Sequence, residues 1–150
     1  MESKSIQEKL NEYGFSDILA PDRFDGAFIG LSHNGKAVYD EELVDFDKET
    51  DDFFKSDSCI LMKRCGYKDL DPGVLVIGNA DEADALNTAI IGITSDGRAV
   101  YDYDNLIYAF ADFNNWSYDE AIEWYEFNTL RSLPYFPNHP YVVTNIEYML

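Results

Sequence analysis

A fifteen-residue stretch occurs twice in this chain, 62 positions apart, and that recurrence restricts the fold more than any other feature. Residues 26–40 read GAFIGLSHNGKAVYD and residues 88–102 read TAIIGITSDGRAVYD, with eight of the fifteen pairs identical. The identical pairs are Ala27/Ala89, Ile29/Ile91, Gly30/Gly92, Gly35/Gly97, Ala37/Ala99, Val38/Val100, Tyr39/Tyr101 and Asp40/Asp102. Each copy carries the physics of a β-hairpin. An apolar run climbs to Asn34-Gly35 or Asp96-Gly97, dipeptides that accept the positive φ of a two-residue turn, then descends through Ala-Val-Tyr. Gly30 and Gly92 lie inside the first strands, where a bulge or a close helix crossing would require them.

Asp40 and Asp102 then stand where a helix N-cap would be. The reading places helices over Glu41 to Phe53 and Tyr103 to Phe113. At the same offset, residues 54–60 align with residues 116–122. Ser117 and Glu120 form a capping-box pattern, so a further helix is expected to run to Arg131 or Ser132 and stop at Pro134. Its counterpart in the first copy should end near Gly66. Extended segments close each copy, over Gly73 to Gly78 and Pro140 to Val143. The expected fold is therefore α+β: a tandem duplication of a β-hairpin–helix–helix–strand unit with pseudo-two-fold symmetry. Residues 1–150 are expected to make a single domain. Residues 1–21 hold a leading helix over Ser5 to Tyr13, 22–79 the first repeat, 80–86 a connection and 87–150 the second repeat.

Charge narrows the function. The chain has 29 acidic and 11 basic residues, a net charge of −18, and only Arg98 and Arg131 are basic after residue 75. With 46% apolar and 15% aromatic residues it has the means to fold, so the acids belong to a folded body and not to a disordered tail. Such a body repels nucleic acid, anionic membranes and phosphorylated ligands, and suits partners with basic surfaces. No apolar run approaches the roughly 20 residues of a membrane span, and Met1-Glu2-Ser3-Lys4 does not begin a secretory signal, so a cytoplasmic location is expected. Cys59 and Cys65 fit neither a C-x-x-C motif nor a zinc spacing, and read as free thiols in a reducing compartment.

Catalytic and metal constellations are weak. His33 and His139 offer few bases for a Ser or Cys nucleophile, and no Gly-rich phosphate loop occurs. Asp45, Asp47, Glu49 and Asp51 alternate as in a calcium loop, but Thr50 and Ser56 replace its required Gly and Glu. Paired carboxylates for glycoside hydrolysis would need a cleft that sequence cannot locate. No catalytic residue, metal or cofactor is assigned. The acidic run from residue 40 to 52, written on a helix, puts Glu41, Glu42, Asp45, Glu49 and Asp52 in one negative stripe, with Leu43 and Phe46 facing the core. Asp104, Asp119 and Glu123 extend the acidic candidate surface in the second copy. The stripe is either a solvated face or an imitation of nucleic-acid phosphates. The last long helix reads as buried on more than one side, through Ile122, Trp124, Tyr125, Phe127 and Leu130. Asn128 and Arg131 near its end could bind internal carboxylates or carbonyls, or form an anion site.

The segments DGRAVYDYD (residues 96–104) and EFNTLRSLPY (residues 126–135) resemble a group of small, largely uncharacterised bacterial and phage-borne proteins. That group shows a D-G-R-x-V-Y-D-Y-D segment and, after a helix, E-Y-N-T-x-R-x-L-P-Y and a short final strand. The likeness covers roughly residues 88–143; Phe127 stands for the usual Tyr, and the ending after Pro137 differs. It implies architecture and a mobile-element context, not a mechanism. Together with the charge it leads to the expectation of a non-catalytic, acidic inhibitory protein. Such a protein would block a basic nucleic-acid-binding complex, such as a bacterial defence nuclease, by nucleic-acid mimicry of the anti-CRISPR kind. No direct nucleic-acid or membrane contact is expected, and a homodimer is left open. The alternative is a non-catalytic adaptor binding through an aromatic C-terminal surface around Tyr135, Phe136 and Tyr141.

Overall fold

The computed structural model describes residues 5–44, 54, 59–78 and 81–145. In chain order the elements are helix α1 (Ile6–Glu12), strands β1 (Phe28–Ser32), β2 (Ala37–Asp40) and β3 (Cys59–Arg64), and the short helix α2 (Ala83–Leu86). There follow β4 (Ile90–Thr94), β5 (Ala99–Asp102), α3 (Tyr103–Asn114), α4 (Tyr118–Trp124), a π-helical stretch over Tyr125–Leu130, and β6 (Tyr141–Thr144). The fold is mixed α+β. Two compact units are formed, Met1–Lys63 with Val143–Leu150, and Arg64–Val142.

In the first unit β1 and β2 pair antiparallel, with Phe28 opposite Tyr39 and Leu31 opposite Ala37. The register slips between Phe28 and Gly30, the bulge that Gly30 was expected to allow. Gly30 has a second reason to lack a side chain. A Cβ there would overlap the Thr144 carbonyl and the Val143 side chain, because the Val143–Thr144 end of β6 pairs antiparallel with β1. On the other edge β3 runs parallel to β2, from Ala37 opposite Cys59 to Asp40 opposite Met62. Leu10, Phe24, Leu31, Tyr39 and Val44 form the core. The Tyr39 ring meets Phe24, Phe28 and Phe54 edge-on at centroid distances of 6.0, 5.7 and 5.5 Å. Helix α1 starts where Ser5 accepts a bond from the Glu8 amide, as its N-cap position requires.

The second unit repeats the hairpin. Ile90 lies opposite Tyr101 and Ile93 opposite Ala99, and the register slips between Ile90 and Gly92. Both turns also match. Ser32 Oγ donates to Asn34 Oδ1 and accepts from the Lys36 amide; Thr94 Oγ1 does the same with Asp96 Oδ1 and the Arg98 amide. Only the glycines take positive φ, +81° at Gly35 and +83° at Gly97. With Gly35 N–H donating to the Ser32 carbonyl and Ser32 N–H to the Lys36 carbonyl, each loop has three residues and a glycine bulge, not the expected two-residue turn. Helix α3 begins at Asp102, whose carboxylate accepts the Asn105 amide, and ends at Asn115 in the left-handed region. The capping box of Ser117 and Glu120 starts α4 as expected. Leu106, Ile107, Phe110, Ala121, Tyr125 and Leu133 pack with Tyr101 and Leu86 in the core, and each large apolar side chain so buried contributes about 2 kcal/mol.

Three expectations fail. The start of the helix expected over Glu41 to Phe53 is instead a 3-10 turn over Glu41–Leu43, after which Val44 is extended; residues 45–53 lie outside the described residues, and Phe54 is helical. The reason is the cap: Asp40, itself buried, bonds the Glu42 amide two residues on, whereas Asp102 bonds an amide three residues on and so admits a helical turn. Leu43 consequently points outward and Val44 takes the core position. Asp45, Phe46, Glu49 and Asp52, and the calcium-like alternation, lie outside the described residues. Residues 59–64 form β3 where a helix was expected, because Ile60 and Met62 alternate with less buried neighbours at the strand period of two. The segment from Gly73 to Gly78 is not a strand. The Ile77 amide is taken by the Tyr101 hydroxyl at 2.8 Å, and Gly78 turns the chain at φ +103°. The final strand forms, one residue later than expected.

Candidate interaction surface

The longest stretch of the sequence without a basic residue, 99–130, covers α3, α4 and the π-helical stretch. Residues 99–130 carry Asp102, Asp104, Asp112, Asp119, Glu120, Glu123 and Glu126, and no Lys or Arg. Asp112, Asp119, Glu120, Glu123 and Glu126 are exposed. Asp104 is half-buried and accepts the Tyr118 hydroxyl at 3.3 Å, which ties α3 to α4. Burial, and then the Asp104 carboxylate, push the Tyr118 hydroxyl up to about 12. Asp104 thus holds the surface together, while Asp119 and Glu123, one helical turn apart on α4, are displayed by it.

Aromatic rings interleave with these acids. Tyr108, Phe113, Trp124 and Phe127 are all more than two-fifths exposed, Phe127 at 67%. Trp116 and Trp124 lie 5.3 Å apart, and Tyr108 and Tyr118 5.1 Å apart. Trp116, Trp124, Phe127, Asn128, Glu120 and Glu123 line a recess of about 290 Å³. Rings and carboxylates in one recess favour a cation twice over, through the negative ring faces and through Coulomb attraction. The expectation that Trp124 and Phe127 are buried is overturned. Only one stripe of the helix, marked by Ala121, Tyr125 and Leu133, enters the core. Residues 120, 123–124 and 127 share the opposite face by ordinary helical spacing, a pattern the sequence carried.

Two basic residues follow residue 75, and one of them, Arg131, lies against a ring of that recess. Arg98 donates to the Tyr141 hydroxyl at 3.0 Å, and its Nε lies 3.0 Å from Asp96 without the alignment of a hydrogen bond. Arg131 is exposed and sits over the Phe127 ring, 5.3 Å from its centroid, instead of binding inside the fold. Asn128 donates one amide N–H to the Trp124 carbonyl at 3.1 Å. Glu41 and Glu42 are exposed in the first unit, on a 3-10 turn and not on a helical stripe. Tyr135, at 86%, and Phe136 are exposed, whereas Tyr141 is buried, which removes it from the aromatic C-terminal surface.

Cys59 and Cys65 are unbridged and half-buried; burial pushes the Cys59 thiol up to about 11. Among the described residues no group of His, Cys, Asp and Glu has metal-binding geometry, and no helix is long and apolar enough to cross a membrane. Comparison with protein-family models, curated proteins and solved structures gives no match.

Proposed function

We propose that this is a non-catalytic binding protein that covers a cation-rich protein surface with the acidic, aromatic face of α4. The carrying observation is the recess of Trp116, Trp124, Phe127, Glu120 and Glu123 within a stretch of seven acids and no bases. A Lys or Arg side chain fits its chemistry, and the surrounding carboxylates supply the long-range attraction that accelerates association with a basic partner. Surfaces of that kind are what proteins present to nucleic-acid phosphates. The target class is therefore a nucleic-acid-binding protein, with a bacterial defence nuclease as the leading case and occupation of its nucleic-acid groove as the mode of inhibition. We further propose that the two hairpins descend from one duplicated unit; their common register slips, turn bonds and eight identical pairs support this.

The test is capture from bacterial lysate with immobilised protein, followed by elution with duplex DNA. Recovery of a nucleic-acid-binding protein that duplex DNA releases supports the reading, and its loss with Glu120→Lys/Glu123→Lys assigns the face. Recovery of nothing that duplex DNA displaces refutes it. An adaptor role through Tyr135 and Phe136 is favoured by their exposure alone, and would show partners retained by the charge-reversed protein.

A further inference from the structure

A second groove in the Arg64–Val142 unit has different chemistry. It has a volume of about 430 Å³, within the roughly 300–1,000 Å³ of ligand clefts, and its walls are mainly apolar. One wall is the chain from Leu75 to Gly78; the other is Trp124, Asn128, Thr129, Ser132 and Leu133, on and beside the π-helical stretch. π-Turns inside α-helices are uncommon and concentrate at functional sites. Here the Asn128 side chain bonds the Trp124 carbonyl and the Ser132 hydroxyl bonds the Asn128 and Thr129 carbonyls, so the helix satisfies its own displaced backbone.

The facing wall does not. Among the described residues, the main-chain N–H and C=O groups of Leu75 and Val76 make no hydrogen bond. Their neighbours do: the Val74 amide bonds Asp71 and the Ile77 amide bonds Tyr101. The sequence of this wall, Val-Leu-Val-Ile, has strong strand propensity, and Leu75 is 38% exposed. An apolar, strand-prone segment with unpaired main chain is a template for another extended chain.

We propose that this groove binds an extended peptide segment of a partner protein by main-chain pairing with Leu75 and Val76. One apolar side chain of that segment would enter among Trp124, Leu133 and Phe136, and a Lys or Arg would stand beside it. Glu82 lines the groove, and the net charge of −18 selects a cationic segment over an acidic one. Pairing of this kind draws affinity from main-chain bonds and specificity from the pocket. The groove shares Trp124 and Asn128 with the recess of the α4 face, but the proposal uses neither Glu120 nor Glu123.

The experiment uses fluorescence anisotropy of the full chain with a labelled, capped heptapeptide of valine, leucine and threonine carrying one lysine. A second peptide is identical but N-methylated at two alternate amides, which keeps its side chains and charge and removes two donors. Expected are saturable binding of the first peptide and about tenfold weaker binding of the second. A similar loss is expected with Thr129→Trp, which fills the groove, and with Leu75→Pro, which removes an unpaired N–H. Glu120→Lys/Glu123→Lys should change affinity less than about twofold, which separates this proposal from the preceding one. Equal binding of the two peptides overturns it, as does full affinity in a folded Thr129→Trp variant. Should that variant not fold, the two peptides on the unchanged protein decide alone. Dimerisation in sedimentation that peptide does not disperse would also overturn it, assigning the groove to a second copy of the chain.

Discussion

Tyr39 and Tyr101 occupy the same position in the two hairpins and are both buried, yet removing their hydroxyls should have opposite effects. The Tyr101 hydroxyl accepts the Ile77 amide at 2.8 Å. Tyr101→Phe therefore leaves a buried N–H without a partner, a cost of about 1–3 kcal/mol. The Tyr39 hydroxyl is buried and has no hydrogen-bond partner among the described residues. Tyr39→Phe removes a desolvated group that makes no bond and keeps the ring against Phe24, Phe28 and Phe54, so it should be neutral or stabilise by up to about 1 kcal/mol. Urea unfolding followed by far-UV circular dichroism measures both. Tryptophan fluorescence adds a probe confined to the second unit, since both Trp residues, Trp116 and Trp124, lie there. At unchanged m-value, the midpoint should fall for Tyr101→Phe and hold or rise for Tyr39→Phe. Equal destabilisation by the two substitutions would refute the reasoning.

Other consequences follow from the same contacts. Burial pushes the Tyr101 hydroxyl up to about 12, despite the lowering effect of its bond to the Ile77 amide, against 10.0 for a free tyrosine. Because the folded value is the higher one, this contribution is intact below pH 10 and is lost as pH rises from 10 to 12, an effect on the order of 2–3 kcal/mol. Alkaline unfolding in that window, with a shallower pH slope in Tyr101→Phe, checks it; a stability that stays flat from pH 10 to 12 contradicts it. Gly30→Ala should destabilise by about 3 kcal/mol or more through collision with the Thr144 carbonyl. Gly35→Ala, with open space but φ of +81°, should cost only about 1–2 kcal/mol. Thermal melts that rank the two glycines the other way would remove β6 from its place beside β1.

The hairpins, α3 and the start of α4 were legible because their signals are local: a repeated turn dipeptide, Asp102 as a cap, and the Ser117–Glu120 box. What was not legible depended on partners distant in sequence. Whether Asp40 caps a helix depends on its burial, and β3 exists because β2 offers an edge to residues 59–62. Ile77 is drawn from a strand by the Tyr101 hydroxyl, 24 residues on. In the candidate surface, charge and its lack of compensation were readable, and Asp119 and Glu123 are exposed. Trp124 and Phe127 were misplaced because an apolar residue on a helix says nothing by itself about which face it takes. The recess they make with Glu120 needed the capping-box residue to be read as surface as well as cap.

The central claim is that the acids act through their placement on α4 and not through their number. It is tested by the affinity of a labelled, capped oligoarginine peptide, measured across salt concentrations for two variants of equal net charge. Glu120→Lys/Glu123→Lys alters the recess, and Glu8→Lys/Glu12→Lys alters the exposed face of α1. A loss of about tenfold or more in the first and less than about twofold in the second, with a flatter salt dependence only in the first, is the predicted result. Equal losses in both would mean that net charge alone attracts the peptide, and that the α4 face is not a site.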